Sequence, residues 1–274
     1  MGRLGYMENG FGPLVGNGGG VTCMKDVGYL TICDDEDAIK RMSAKGFKYF
    51  EVLEDNLLKY EKEPETFMGI CKKYGMQLLS VCSGFHFIYE DAREEELFKT
   101  ERECKLMQKF GAKYMVLCGG SIHGTGRRDE DYPKLAAGVA AVSEVCKKYG
   151  ITACYHPHLG ALAEGPDQID KFFAVSDIAF CPDIAHLVAG GSDPMEMIEK
   201  YYDRIPFVHL KDLSKDGEFY PLGKGTIGDI NEKVINYMKK KGYTGDWLVE
   251  CDGYSGDPDE ACETSYEFLK GKLY

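Results

Sequence analysis

The chain has 274 residues, a formal net charge of -12 and 28% charged residues. That length suits one α/β barrel of roughly 250 residues better than one small domain, and the acidic excess leaves no positive face to neutralise phosphates, which argues against a nucleic-acid binder. The 11 cysteines are scattered, with no Cys-x-x-Cys pair, and neither a leader nor an apolar stretch of membrane-spanning length is visible. A reduced, cytoplasmic protein with buried free thiols and no membrane partner is therefore expected.

Residues 1–26 are Gly-rich (Gly16, Gly18, Gly19, Gly20) and fit no regular repeat. Leu4 to Met7 is one candidate for a first strand. The run 27–33 is preferred, because a helix-period segment of normal length, 35–45, follows it directly. From there β-branched and aromatic runs alternate with segments of helical spacing. The strands are expected at 49–53, 77–82, 114–118, 151–155, 178–181, 207–210 and 247–250. The helices are expected at 64–74, 93–110, 132–149, 166–175, 194–202 and 230–241. Lys72-Lys73-Tyr74-Gly75, Lys109-Phe110-Gly111, Lys148-Tyr149-Gly150 and Lys240-Lys241-Gly242 share one punctuation, with basic residues in the last turn and a Gly just beyond. Helix, Gly, strand, repeated, is what parallel strands joined by crossover helices require. Eight such strands imply a single (β/α)8 barrel domain over 1–274, with 1–26 outside the repeat. An open doubly wound sheet is the rival, disfavoured because no Gly-x-Gly-x-x-Gly follows the first strand.

The six histidines are His86, His123, His156, His158, His186 and His209. Each falls at the end of an expected strand or in the loop just after it, and the carboxylates Glu51, Glu54, Asp183 and Glu250 fall at the same places. In a (β/α) barrel these ends converge on one face, which carries the active site. Mixed imidazole and carboxylate donors suit a divalent transition metal. A lone His after a strand is more often a hydrogen-bonded loop residue, which describes His123 as well as any other role. Asp183 alone is also a good helix N-cap. The joint pattern is harder to explain that way.

These residues carry a resemblance. The segments Tyr155-His156-Pro157-His158-Leu159-Gly160, Asp183-Ile184-Ala185-His186, Val208-His209-Leu210-Lys211-Asp212, Pro221-Leu222-Gly223-Lys224-Gly225 and Gly242 through Glu250 resemble, in order and spacing, the sugar-phosphate isomerase/epimerase family of xylose-isomerase-like metal barrels. The resemblance implies one divalent metal, manganese first and cobalt, zinc, iron or nickel as alternatives. It would be held by His156, Asp183, His209 and Glu250, with His156 standing where most of the family has Glu. The Tyr-His-x-His-x-Gly segment and the tract around Met195-Glu196-Met197-Ile198 are similar to the inosose dehydratase subgroup. Glu164 is the nearest substitute if the metal needs a third carboxylate.

The implied chemistry is a lyase reaction on a small keto-polyol or keto-sugar, with a metal-polarised ketone and an enolate after proton removal. Glu250 or His158 would be the base, and His186 and Lys211 the candidate acids, Lys211 on the expectation that burial brings its pKa near neutral. Lys211 is equally open as a structural partner of Asp212 or Glu250. Glu51, His86 and Lys224 would contact substrate hydroxyls. A keto-sugar isomerase or epimerase, the large subunit of a C-glycoside-cleaving lyase, and a non-catalytic binding protein are the alternatives. A homo-oligomer is left open by the sequence.

Overall fold

The computed structural model describes residues 2–16 and 28–273. In chain order the elements begin with β1 (Leu4–Met7), β2 (Leu14–Gly16), β3 (Tyr29–Thr31), α1 (Asp35–Lys45), β4 (Tyr49–Leu53), α2 (Glu54–Leu58), α3 (Pro64–Tyr74), β5 (Gln77–Phe85) and α4 (Arg93–Phe110). Next come β6 (Tyr114–Gly119), α5 (Asp131–Lys148), β7 (Thr152–Tyr155), α6 (Pro166–Phe173), β8 (Ala179–Phe180), α7 (Ile184–Ala189) and α8 (Pro194–Tyr201). The last are β9 (Phe207–Leu210), β10 (Asp212–Leu213), β11 (Phe219–Tyr220), α9 (Gly228–Lys240), β12 (Asp246–Val249) and α10 (Pro258–Leu269).

Eight parallel strands form one sheet in the order β8-β7-β6-β5-β4-β1-β12-β9. The sheet closes where β8 meets β9: Asp183 bridges to His209, and the His209 amide donates to Pro182 O at 2.9 Å. This is the (β/α)8 barrel expected, with the helices outside.

The first strand is the correction. Leu4–Met7, not 27–33, takes the place between β12 and β4. Tyr29–Thr31 pairs antiparallel with Leu14–Gly16 in a separate two-stranded ribbon, while Val27 and Gly18 to Gly20 lie outside the described residues. A four-residue strand containing a glycine and followed by a ribbon gives a weak periodic signal. Gly5 is there because space is short: a Cβ on it would stand 2.9 Å from Leu248 Cδ1 and 3.3 Å from the Tyr49 backbone.

Strand alternation sorts the side chains into two layers. Outward residues such as Phe50, Val52, Leu78, Val81, Met115, Leu117, Tyr155, Phe180, Val208 and Val249 pack in the large core under the helices. Inward residues Met7, Leu53, Leu79, Cys82, Tyr114, Val116, Cys154, Cys181, Phe207 and Leu248 fill the barrel. The helix ends follow the expected punctuation, with Gly75 and Gly111 closing α3 and α4 in the left-handed conformation that favours glycine.

Candidate metal centre and active site

The inward alternation continues past the apolar fill and turns polar at the C-terminal end of the barrel. His156 follows β7 directly, two residues above Cys154. Asp183 stands two above Cys181, His209 two above Phe207, and Glu250 two above Leu248. Period two along each strand therefore aims all four at the axis. They are all at most 5% exposed, and their donor atoms lie within 4.8 Å of one another.

Several polar atoms here make no hydrogen bond: His156 Nδ1, Asp183 Oδ2, His209 Nε2 and both carboxylate oxygens of the neighbouring Glu51. Burying unpaired polar atoms is costly, the more so for carboxylates. A divalent cation would satisfy imidazole and carboxylate together, so the residues fit a metal. Asp183 serves twice. Its Oδ1 caps α7 by accepting from the His186 amide at 2.8 Å, and its Oδ2 remains for a ligand.

Electrostatics agrees with that division. Burial drives the His156 and His186 imidazoles well below their ordinary range, which keeps them neutral. Burial likewise pushes the Asp183 carboxyl up to about 7. Glu250 behaves oppositely. Burial opposes its ionisation, but Lys211 and His209 hold it well below the ordinary carboxylate range. Its Oε2 meets His209 Nδ1 at 3.0 Å, and its Oε1 accepts from Lys211 Nζ at 3.0 Å and from Asn9 Nδ2 at 3.1 Å.

Lys211 is fully buried. Its ammonium is 2.5 Å from Asp252 Oδ1 and 3.2 Å from His186 Nε2, and it sits 3.8 Å from the centroid of the Phe219 ring. Burial alone would lower its pKa, but Asp252, Glu250 and Asp183 outweigh that and raise it. The expected near-neutral lysine is thus corrected to a held ammonium. Glu250, Asp252 and His186, and not Asp212, are its partners. Asp212 instead accepts from the amides of Leu213, Gly223, Gly225 and Ile227.

A cavity of about 360 Å³ opens from this cluster to the surface. Its lining runs from the buried His156, Glu250 and Glu54 to the exposed Leu14 and Tyr29, and includes His158, Asp252 and His86. His158 is partly buried, its Nδ1 2.9 Å from Leu159 O and its ring 4.1 Å from that of His186. His86 Nδ1 lies 2.6 Å from Ser121 Oγ on the cavity wall.

Three expected residues stand elsewhere. Glu51 is deeper than a substrate contact, its Oε2 3.5 Å from His209 Nε2, beside the metal cluster. Lys224 is exposed and does not line the cavity. Glu164 pairs with Arg127 at the surface and is no substitute ligand. His123 meets Asp131 at 3.2 Å, as a loop residue would.

Asn9 and Asp252 were missed. Both stand past a strand end, Asn9 in the 3-10 turn Glu8–Phe11 and Asp252 in the turn after β12, where strand alternation no longer gives a count.

The chain belongs to the xylose isomerase-like TIM barrel family, which it matches over residues 39–272, and it is an enzyme of that family. Among its relatives, the inosose dehydratase of Geobacillus kaustophilus is 30% identical over 173 residues, 57% of this chain and 56% of that protein. The inosose dehydratase of Clostridium perfringens is 29% identical over 271 residues, 86% of this chain and 89% of the relative. Among solved structures, that of the IOLI protein with a bound zinc atom superposes with a TM-score of 0.74 at 15% identity, covering 99% of this chain and 98% of the other.

Proposed function

We propose that this is a single-domain, divalent-metal-dependent lyase that removes water from a small keto-polyol of the inosose kind. The observation that carries the reading is the buried cluster of His156, Asp183, His209 and Glu250, with unpartnered donor atoms at the inner end of a substrate-sized cavity. The full-length similarity to a protein named inosose dehydratase supports the substrate class, and the zinc bound by a structural neighbour supports a metal. The ten described cysteines are free thiols, and no described helix is long and apolar enough to cross a membrane. Both accord with an enzyme of the cytoplasm.

The cavity favours an uncharged, hydroxyl-rich substrate. Glu54, Glu96, Glu250 and Asp252 line it, and the one cation among its lining residues, Lys99, is committed. Lys99 Nζ donates to Gly84 O at 2.7 Å and lies 3.4 Å from Glu54. Among the described lining residues no Lys or Arg is free to hold a phosphate.

When bound, the metal would act as a Lewis acid toward the ketone, making the neighbouring C–H acidic. Every other role belongs to the chain. Both Glu250 oxygens are engaged by protein donors, whereas His158 faces the cavity, so His158 is assigned the proton abstraction. The Lys211 ammonium supplies fixed positive charge near the negative charge that develops on the substrate. It also donates to His186 Nε2, which holds that ring as the Nδ1–H tautomer. His186, whose ring centroid lies 4.1 Å from that of His158, is assigned to pass a proton to or from it. His86 and Ser121 orient hydroxyls.

The test is incubation of metal-loaded protein with 2-keto-myo-inositol while following ultraviolet absorbance. An unsaturated ketone or dione product supports dehydration. A rearranged ketose with no loss of water would replace the lyase reading by an epimerase or isomerase. No conversion of any keto-inositol or keto-sugar would remove both.

A further inference from the structure

The barrel floor beneath the site is rich in thiols. Barrel interiors are ordinarily filled by branched aliphatic residues, but here β5, β6 and β7 and the residue just after β8 contribute Cys82, Cys118, Cys154 and Cys181. They form one patch. Cys82 Sγ lies 3.1 Å from Cys118 Sγ, and Cys181 interacts with Cys154 and Cys118. The patch lies under His156 and Asp183, while Phe207, Leu248, Met7 and Leu53 fill other parts of the interior.

One thiol reaches the ligand cluster. Cys181 is fully buried, and its Sγ belongs to a second group with His156 and His209 whose donor atoms all lie within 4.8 Å of one another. The two groups share both imidazoles. They differ in adding either the carboxylates of Asp183 and Glu250 or the sulfur of Cys181. The unpartnered His156 Nδ1 and His209 Nε2 are ring atoms of the shared pair.

We propose that Cys181 is a sulfur donor to the metal of this site, so that the site selects softer ions (zinc, cobalt or ferrous iron) over manganese and magnesium. This rests on the metal reading above and sharpens it. Thiolate favours the soft and borderline ions, and carboxylate and water the hard ones. Coordination breaks the S–H bond, forms a sulfur–metal bond and releases one proton to solvent per ion bound. The sequence expectation of manganese is the one this inference replaces.

The experiment adds Co²⁺ to metal-free wild-type protein, to Cys181→Ser and to Cys154→Ser, and records the absorption spectra. Wild type and Cys154→Ser are expected to show visible ligand-field bands together with a near-ultraviolet sulfur-to-cobalt charge-transfer band. Cys181→Ser is expected to keep the ligand-field bands and lose the charge-transfer band. Its Zn²⁺ affinity should fall by about tenfold or more, with Mn²⁺ affinity changed by about twofold or less. Ligand-field bands without charge transfer in the wild type, or charge transfer persisting in Cys181→Ser, would overturn the sulfur donor and leave the metal site standing. No Co²⁺ binding by the wild type would overturn both. If Cys181→Ser fails to fold, Cys181→Ala takes its place, and a wild-type spectrum without charge transfer overturns the proposal by itself.

Discussion

The strand β12 begins on one buried carboxylate, Asp246, and is followed directly by another, Glu250, and the surroundings of the two differ. At its N-terminal end Asp246 is surrounded by donors. Its Oδ1 accepts from the Arg3 amide at 2.7 Å, and its Oδ2 accepts from Arg3 Nη2 at 2.7 Å, Tyr114 OH at 2.9 Å and Lys113 Nζ at 3.1 Å. At the C-terminal end Glu250 sits among groups whose donor atoms are left over, on Asp183, His209, His156 and Glu51. The first end is closed and contributes stability. The second is left open, which costs stability and makes a site. This matches the general division of labour between the two faces of (β/α) barrels.

Glu250→Gln should separate the two ends most sharply. We expect kcat/KM to fall by about a thousandfold or more, since a ligand and a fixed charge are lost at the reacting centre. The melting temperature of the metal-free protein should move by only about a few degrees, because Lys211 keeps Asp252 and His209 keeps Glu51 as an anionic neighbour. A large fall in melting temperature with activity retained would break the comparison.

Metal removal should come next. Chelation should abolish activity and lower the melting temperature, and readdition at about 100 times Kd should restore about 2.7 kcal/mol of stability. In Glu250→Gln the same addition should restore much less. Calorimetry with and without metal measures both, and equal responses would show that the open end is not the ion's site.

Asp246→Asn is the mirror variant. It should cost about 1–2 kcal/mol, since Arg3 and Lys113 lose their common partner but are partly exposed and screened by solvent, while kcat/KM stays within about threefold of wild type. A pH dependence accompanies it. Burial opposes ionisation of Asp246, but Arg3, Tyr114 and Lys113 prevail and hold its pKa down to about 2. An unfolded Asp titrates near about 3.9. The stabilisation is therefore complete above that value and is lost as pH falls through it toward the folded value. About 2 kcal/mol is at stake in that window. Denaturant titrations from about pH 5 to about pH 2 should show a shallower acid limb for Asp246→Asn than for wild type. Parallel limbs would assign the acid sensitivity elsewhere.

Most of the barrel was legible because its strands are apolar runs preceded by a helix end and, at Gly46, Gly75, Gly111, Gly150 and Gly242, by a glycine, a local signal. Leu4–Met7 has only a 3-10 turn directly after it and takes its identity from Leu248 and Tyr49, which are distant in sequence. The site was legible to the same depth. That His156, Asp183, His209 and Glu250 fall at strand ends is local information. How far up the axis each side chain stands is not, so Glu51 reads as a substrate contact although it lies beside His209. The partners of Lys211 come from β12 and α7, and no count along its own strand could supply them.

The smallest expected effect concerns the turn from Pro221 to Gly225, whose sequence drew attention to Lys224. That side chain is exposed, while the amides of Gly223 and Gly225 donate to Asp212 Oδ2 at 2.9 and 3.3 Å. A Cβ on Gly225 would stand 2.4 Å from Asp212 Oδ1. The turn is thus built to hold Asp212, next in sequence to Lys211, and the lysine within it is incidental. Lys224→Ala should leave kcat/KM within about twofold and stability within about 0.5 kcal/mol, as for an ordinary surface change. Gly225→Ala should lower both measurably by displacing the Asp212 carboxylate. The reverse order of effects would return Lys224 to the substrate and make this turn part of the open end of the barrel.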